Sequence, residues 1–366
     1  MPEYQILHEN PNQIIDEIRE HLQELYKRTL APGDMEMLII NSFAYRELLL
    51  RIAINDAVRQ NFIRYSRGAA LDELVAYLNV SRLPASKAVC TLKFIAVTGH
   101  GGILIPAGTR VQSIDGKATF RTSKTVQLPK GETSILVDAI SAMEGVEGNN
   151  YDVGNIAVIL DPLPYISSAT NVDITTGGGN MEDDEALRER FIISTAQFSV
   201  AGSKQSYQFY ALGVSSTISD VSVSSPTPGT VVITPLLKGG LPPSIALINS
   251  IADVCSGEKV RPLTDNVIVE APTILEYEIN ITLSIHQHAA NTDLDIFVYN
   301  TLLQFVKANE DKLGVDILKN KILSLAMSDS GVYNAQIINP VVDIITPHNC
   351  YAKCIGISVT TTSIHG

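Results

Sequence analysis

The sequence is poor in aromatic and sulfur-containing side chains. It has no tryptophan, and only 6% of its 366 residues are aromatic. Because aromatic side chains dominate the energetics of recognition surfaces, a receptor-binding adhesin is disfavoured. The four cysteines, Cys90, Cys255, Cys350 and Cys354, are sparse and unevenly spaced. This spacing does not fit a disulfide framework and predicts folding in a reducing cytoplasm.

Basic charge and long apolar runs are also scarce. Lys and Arg number 27 against 39 Asp and Glu, which gives a formal net charge of −12. Basic residues do not cluster without interleaved acids, so neither nucleic acid nor a membrane surface is an expected partner. Uncharged stretches such as 221–237 are broken by Ser, Thr and Pro, short of the ~18 apolar residues of a membrane-spanning helix. The first residues also lack the basic and apolar segments of a secretory signal.

What the sequence does have is an unusually apolar composition for its charge. Only 18% of residues are charged, 45% are hydrophobic, and the mean hydropathy is +0.14. This indicates that other protein chains cover part of the surface. At roughly 150 residues per domain, the length predicts two to three domains.

The first 85 residues predict a helical arm. Apolar residues at helical spacing follow Pro11 up to the stop at 31–33, Asp34 can cap a second and much longer helix that ends before Gly68, and a short third helix covers 71–78. Three helices of such unequal length leave apolar surface uncovered unless another chain supplies helices. We therefore expect an intersubunit bundle, with interface candidates Ile14, Ile18, Leu22, Leu25, Leu48 and Ile52.

From residue 86 the hydrophobic period changes to two. Short alternating or β-branched segments punctuated by Gly and Pro run through 88–97, 102–105, 109–114, 118–122, 125–128, 134–142 and 155–160, and close near 170–176. Short strands at this spacing predict a small β-barrel or sandwich over 86–176.

The remaining sequence predicts two α+β modules, 177–275 and 276–366. After three glycines, Asn180 and the acids of 182–185 start a helix that is expected to continue to Leu212. A hairpin with its turn at 225–229 follows, then a helix over 243–256 and further strands. The last ninety residues repeat helices and a hairpin, with strands at 341–345 and 351–361, which suggests a duplication. The fold class is thus multidomain α+β: helical arm, barrel-like domain and two helix-plus-hairpin domains.

Residue patterns for catalysis are few. The sequence has no HExxH, GxSxG, Walker A or paired CxxC motif, so we expect no enzymatic activity and no cofactor. His286 and His288 share one strand face, and His348, Cys350 and Cys354 form a cluster of soft ligands, but both are weak candidates for a metal site.

Charged residues offer two further ambiguous patterns. The acids of 182–185 fit a helix start better than a cation site. Arg261 and Asp265 form either a pair that braces a turn or an interface pair.

The order of several short motifs resembles the baseplate J-like family of contractile phage tails and related injection machines. The most specific stretch is TTGGGNMEDDEALRER, residues 175–190. The remaining likeness lies, in chain order, at 71–72, 74–82, 105–109, Phe120, Thr122, Gly145, 148–149, Gly154, Ile156, 203–207, the 225–229 turn and 260–264. Asn180 stands where the family commonly has Asp, and both residues cap helices.

The resemblance implies a structural wedge subunit of a baseplate. Implied partners are a second copy of the chain, a smaller wedge subunit, sheath-initiator or hub-proximal proteins and tail-fibre attachment proteins. Six such wedges would form a ring around the hub and relay the trigger for sheath contraction. The alternatives are a tail-associated polysaccharide-degrading enzyme, which needs two carboxylates facing each other across a cleft, or a receptor-binding adhesin.

Overall fold

Helices fill the N-terminal part of the chain, and strands dominate the rest. The computed structural model describes residues 4–198, 202–257, 260–262, 264–286 and 293–365. Two compact units result: one of residues 4–82 and 183–191, and one of residues 83–182 with the described residues from 192 onward. The helices are α1 (Pro11–Tyr26), α2 (Met35–Arg59), α3 (Gly68–Ala76), α4 (Asp184–Ser194), α5 (Lys204–Leu212), α6 (Ile245–Cys255), α7 (Leu294–Asn309) and α8 (Lys319–Ala326).

The described residues contain fourteen strands, which form four sheets. The strands are β1 (Lys87–Ala96), β2 (Ile103–Ile105), β3 (Arg110–Ser113), β4 (Thr119–Thr122), β5 (Val126–Leu128), β6 (Ser134–Glu144), β7 (Ile156–Ile159), β8 (Ile166–Asn171), β9 (Ile218–Ser224), β10 (Thr230–Leu237), β11 (Asn266–Val269), β12 (Thr273–His286), β13 (Val332–Asn339) and β14 (Cys350–His365). In the described part of the chain, no helix combines the length and the apolar character needed to cross a membrane.

The three helices predicted over the first 85 residues are confirmed. The Asn10 side chain accepts a hydrogen bond from the Asn12 amide at the start of α1, and Pro11 occupies the first helical turn. Lys27, in the left-handed conformation, ends the helix. Helices α1 and α2 then pack on each other through a small apolar cluster of Ile15, Ile18, Leu22, Leu30, Met37 and Ile40.

The β-rich segment forms a nearly closed, barrel-like sheet of six strands in the order β7-β3-β4-β6-β1-β8. Strict alternation along β1 places Ala88, Cys90, Leu92 and Phe94 in the core, while their neighbours face outward. The predicted period of two is confirmed. The last strand, β8, ends at Asn171, and Thr176 pairs with Val89 of β1 through two backbone hydrogen bonds, so the sheet ends within the predicted 170–176.

The outer strands β7 and β8 are joined through one amide side chain. Asn171 is completely buried. Its Oδ1 accepts hydrogen bonds from the amides of Gly154 (3.1 Å) and Ile156 (2.9 Å). Its Nδ2 donates to the carbonyl oxygens of Asp152 (2.9 Å) and Asp173 (2.7 Å). Together with one backbone hydrogen bond, from the Gly154 amide to the Asn171 carbonyl (3.2 Å), this side chain joins the two strands where the sheet almost closes.

The module after α4 departs from the predicted single helix. α4 ends at Ser194, a short 3₁₀ turn follows, and α5 starts at Lys204, so the prediction of one helix to Leu212 is wrong. Gly202 has φ +65°, which a right-handed helix excludes, and Ser203 caps α5 by accepting from the Ser206 amide. The predicted hairpin is confirmed, since β9 and β10 pair antiparallel, and β11 adds parallel to β10.

In the described part of the C-terminal module, the predicted strands 341–345 and 351–361 do not form a hairpin. β12 is the middle strand, with β13 antiparallel on one side and β14 parallel on the other. Residues 341–345 form a loop rather than the predicted strand. Pro340 lacks an amide proton for a ladder, and Ile344 pairs with Ile317 through two backbone hydrogen bonds.

A glycine pair after β10 lies against the C-terminal module. The Gly239 amide donates to Asp311 Oδ1 at 2.6 Å. Gly240, with φ +64°, lies so close to Tyr351 that a Cβ there would be 2.2 Å from the tyrosine oxygen. Only glycine fits this position, because both the backbone angle and the space exclude a side chain.

Candidate functional site

The most exposed apolar surface of the helical unit is one face of α2. Apolar side chains on this face are open to solvent, for example Leu38 (69% exposed) and Tyr45 (61%). The opposite face is buried at Met37, Ile40 and Ala44. We define the α2 seam as the face residues spaced alternately three and four apart: Met35, Leu38, Ser42, Tyr45, Leu49 and Ile52.

The spacing of the α2 seam is that of a coiled coil. Residues at alternating intervals of three and four fall on one stripe of a helix and form the contact line between paired helices. A second row, Ile39, Phe43, Leu50 and Ile54, is also exposed and widens the apolar face. Patches of this kind on a folded chain mark interaction sites.

Of the six predicted interface residues, some are buried between α1 and α2 and others are exposed to solvent. Ile14 is completely buried, and Ile18 and Leu22 pack on the α1–α2 cluster. Their side chains therefore hold the arm together. Leu25 (64% exposed) and Ile52 (39%) are open, and Leu48 is half-buried. The interface role of the six residues stays a prediction.

The start of α4 folds with the helical arm, 100 residues away in sequence. One oxygen of the Asp184 carboxylate accepts from the Gly68 amide (3.1 Å), and the other accepts from Arg82 Nη2 (2.6 Å). Arg82 also forms an ion pair with Asp72 (2.7 Å). The hydrogen bond from Arg82 lowers the pKa of the Asp184 carboxyl, and the Gly68 amide adds to this. A charged Asp184 thus stabilises the N-terminus of α3.

Two arginines of α4 bind main-chain carbonyl groups of the arm. Arg188 donates from Nε to the carbonyl of Ile63 (2.9 Å) and from Nη2 to that of Ser66 (2.8 Å). Arg190, only 6% exposed, donates from Nη2 to the Ser81 carbonyl at 2.5 Å. A planar guanidinium group suits such paired contacts.

The acidic run 182–185 was predicted only as a helix start, and its wider role was missed. The Asp183 side chain does accept from the Ala186 amide, as a cap would. Glu182 instead belongs to the other unit, where it is buried and accepts from the Leu83 amide at 2.9 Å. The only sequence signal for this role is the mixture of acids and arginines in EDDEALRER, residues 182–190. It indicates ion pairs but does not identify which distant residues they bind.

The weak metal candidates of the C-terminal module do not converge on a binding site. Cys350 is buried and its thiol lies 3.6 Å from Asn349 Oδ1, while the Cys354 thiol faces the Gly356 carbonyl at 3.4 Å. His348 is exposed in the preceding loop. Among the described residues, no group of three His, Cys, Asp or Glu side chains could hold a metal ion. His286 packs edge-on against a tyrosine ring, and His288 lies outside the described residues.

Arg261 and Asp265 lie together at the turn before β11. Arg261 donates to the Ser256 carbonyl (2.9 Å) and to the main-chain carbonyl of Asp265 (2.7 Å). The Asp265 carboxylate accepts instead from the Tyr207 hydroxyl at 2.8 Å. These contacts brace the turn, and an interface role of the pair stays a prediction. Leu263, part of the same family-like motif, lies outside the described residues.

Three domain models of one family match the chain in order. The baseplate J-like N-terminal domain matches residues 34–88, the baseplate J-like barrel domain 91–178, and the baseplate J-like central domain 199–271. These ranges include α2, the six-stranded sheet and the α5–β11 module.

A curated protein and a solved structure are also similar. Baseplate protein J of Escherichia phage P2 is 30% identical over 183 residues, which is 50% of this chain and 60% of that protein. The match thus spans less than two thirds of the relative. A chain from a cryo-EM structure of the anti-feeding prophage baseplate, 6-fold symmetrised, superposes with a TM-score of 0.44 at 10% identity, covering 93% of this chain and 90% of that one. From the three consecutive domain matches, the chain belongs to the baseplate J-like family.

Proposed function

We propose that this protein is a structural wedge subunit of the baseplate of a contractile phage tail or a related injection machine. The observation that carries the proposal is the match of three consecutive baseplate J-like domains in chain order. The name of the phage P2 relative, baseplate protein J, supports the same role. The protein would act in the baseplate of a virion or injection particle after assembly in the bacterial cytoplasm.

The α2 seam supports a bundle with helices of other chains. Its apolar residues are exposed over five helical turns, and their three-and-four spacing suits a helical partner. In this proposal the seam binds α2 of a second copy and a helix of a smaller wedge subunit. Burial of the seam in such a bundle would remove the exposed side chains of Met35, Leu38, Tyr45, Leu49 and Ile52 from water.

The barrel and the two α+β modules would form the rigid outer part of the wedge. Their exposed apolar side chains include Val341, Val342 and Ile345 on the loop before β14. We assign lateral, ring-closing contacts to the two α+β modules, in a ring of six wedges around the hub. Sheath-initiator or hub-proximal proteins and fibre attachment proteins would bind the ring and relay the contraction trigger.

The test is reconstitution of the wedge. The chain is expressed alone and together with the proteins encoded beside it, and mass and shape are measured by light scattering and negative-stain microscopy. We expect a hetero-oligomer that builds sixfold rings. A chain that stays monomeric with all of its neighbours would contradict the proposal, and glycan hydrolysis should then be assayed.

Matched variants connect this assembly to the α2 seam. The triple variant Leu38→Ser, Tyr45→Ser, Leu49→Ser removes three exposed seam residues and is expected to prevent complex formation while the chain stays folded. The control, Leu104→Ser, Ile114→Ser, Leu136→Ser, changes three equally exposed apolar residues of the barrel. If both triple variants assemble equally well, the seam is not the bundle interface.

A further inference from the structure

Helix α2 carries a second line of exposed residues beside the α2 seam. This line, called here the Arg46 stripe, consists of Ile39, Phe43, Arg46, Leu50 and Ala53. Its members follow one another at alternating intervals of four and three, the spacing of a contact between paired helices. All five are exposed, Phe43 to 64% and Leu50 to 63%.

The α2 seam and the Arg46 stripe face different directions. At about 100° per residue, their mean directions differ by about 90°. The buried face, with Met37, Ile40 and Ala44, lies about 135° from each of them. The seam and the stripe together span about 180° of the helix surface, whereas one packed neighbour covers a width of about 100°. Helix α2 therefore has room for two further helices besides α1.

A groove on α2 includes residues of both the seam and the stripe. It has a volume of about 830 Å³. It is lined by the side chains of Ser42, Phe43, Tyr45, Arg46, Glu47 and Leu50. Because Ser42 is much smaller than its neighbours, it leaves a hollow that suits a large apolar side chain of a packed helix.

Arg46 is the charged residue of the stripe. In the described part of the chain it has no ion-pair or hydrogen-bond partner, whereas Glu47 beside it is paired with Arg51. A helix packed on the stripe would shield the guanidinium group from water, and a shielded charge without a counter-charge is costly. The occupant therefore needs a carboxylate opposite Arg46, which a guanidinium group binds with two parallel hydrogen bonds.

A second copy of α2 does not offer that carboxylate. Neither the α2 seam nor the Arg46 stripe contains Asp or Glu. A parallel pair in register through the stripe would place Arg46 beside the Arg46 of the other copy, and an antiparallel pair centred on the stripe would place it beside Phe43. The uncharged α2 seam has no such conflict, so it suits the pairing of two copies.

We infer that the Arg46 stripe binds a helix of a different protein of the wedge, one that presents a large apolar residue to the hollow at Ser42 and a carboxylate to Arg46. The α2 seam is then free for the second copy of this chain. This inference rests on the proposed function, because it needs a wedge built from two kinds of chain. It adds which face of α2 receives which partner and the chemistry that selects the partner.

Charge reversal at Arg46 tests the assignment. The chain is co-expressed with the proteins encoded beside it, and native mass spectrometry counts the chains of each kind in the complex. We expect two copies together with another protein. With Arg46→Glu the pair of copies should remain, while the affinity for the other protein, measured by isothermal titration calorimetry, should fall at least roughly 30-fold.

The matched control is Lys130→Glu. It makes the same change of charge at an exposed residue in the turn between β5 and β6, and it should leave both the composition and the affinity unchanged. Circular dichroism checks that both variants keep the helical content of the unmodified chain.

A search for compensating changes identifies the carboxylate. Acidic residues of the other protein are changed to lysine one at a time, and one of these changes should restore binding to the Arg46→Glu chain. Unchanged affinity with Arg46→Glu, loss of the second copy in place of the other protein, or the absence of any compensating change would overturn the inference. A chain that stays monomeric with all of its neighbours would instead count against the proposed function.

Discussion

Arg188 shows how a single side chain can hold together segments that are distant in sequence. Its guanidinium group binds two carbonyl oxygens, of Ile63 and Ser66, in the connection between α2 and α3. Only 15% of the side chain is exposed. Carbonyl groups with no partner inside a helix need a donor when they are shielded from water. Arg188 supplies two donors at once, and Asp184 satisfies the Gly68 amide on the same connection.

The first prediction concerns Arg188→Lys. Lysine keeps the charge, but its single ammonium group cannot donate to both carbonyl groups as the planar guanidinium group does. We therefore expect a loss of about 1–3 kcal/mol in the free energy of unfolding. Urea unfolding followed by circular dichroism measures it. The control is Arg67→Lys, because Arg67 is 67% exposed in a surface pair with Asp56 and should change stability by less than about 0.5 kcal/mol. Equal effects would show that Arg188 acts only as a charge.

The second prediction follows from the lowered pKa of Asp184. The folded protein releases this proton more readily than the unfolded chain, whose Asp has a pKa of about 3.9. Its contribution to stability is therefore complete above that value and is lost as the pH falls through the lower, folded pKa. Wild type should be more stable than Asp184→Asn near neutrality, and the gap should close as the pH falls below about 4. A gap that stays constant over that range would contradict the assignment.

At the scale of elements, the barrel depends on how its outer strands meet. β7 and β8 are not joined by a regular ladder, and Asn171 takes that place with four hydrogen bonds from a fully buried side chain. Buried polar groups are costly when they lose their partners. The closure of the sheet should therefore be sensitive to this one amide.

The third prediction is that Asn171→Ala destabilises the barrel by about 2–4 kcal/mol, since it removes four buried side-chain hydrogen bonds. In the variant the Gly154 amide still donates to the main-chain carbonyl of residue 171, and the Asp152 carbonyl still accepts from the Asn155 amide. Hydrogen exchange at Gly154 and Ile156 should accelerate in the variant. Ser168→Ala on the exposed side of β8 is the matched control and should stay within about 0.5 kcal/mol of wild type. Unchanged protection at both amides would show that backbone contacts alone hold β7 and β8 together.

Elements with strong local patterns could be predicted from the sequence, and those defined by distant contacts could not. The three-to-four spacing of apolar residues predicts α1 and α2, and their alternation with polar residues predicts β1. Both patterns arise because an element that buries one face carries apolar residues at a regular interval. At 341–345 the apolar side chains are exposed, so their pattern does not distinguish a strand from a loop. The α4 contacts with Ile63, Ser66 and Ser81 involve main-chain atoms, so they leave no trace in residue type at those positions.

On the scale of the whole molecule, the second unit joins its modules through small residues and backbone contacts. Gly240 admits the Tyr351 ring, and Gly239 donates to Asp311 next to it. Tyr351 is 3% exposed, and burial raises its pKa to about 12, with Glu310 and Asp311 adding to the shift. The tyrosine thus stays neutral, and the α5–β11 and C-terminal modules are expected to move together.

The fourth prediction compares the two glycines. Gly239→Ala changes a residue with φ +75° and open space around it, so it should cost about 1 kcal/mol through backbone conformation alone. Gly240→Ala adds a clash with Tyr351 and should cost a further 1–3 kcal/mol or so. Thermal unfolding by calorimetry measures both, and equal losses would show that Tyr351 can move away without cost.

The division of the chain into 4–82 with 183–191 and the rest has a consequence for synthesis. Residues 83–182 lie between the two segments of the helical unit. At about 5–20 residues per second, the ribosome needs roughly 5–20 s to produce that stretch. During this time Asp184, Arg188 and Arg190 have not yet been made, so the arm emerges without the helix that completes it. We expect the nascent arm to become competent for assembly only after the barrel has been translated, which delays contact between neighbouring nascent chains.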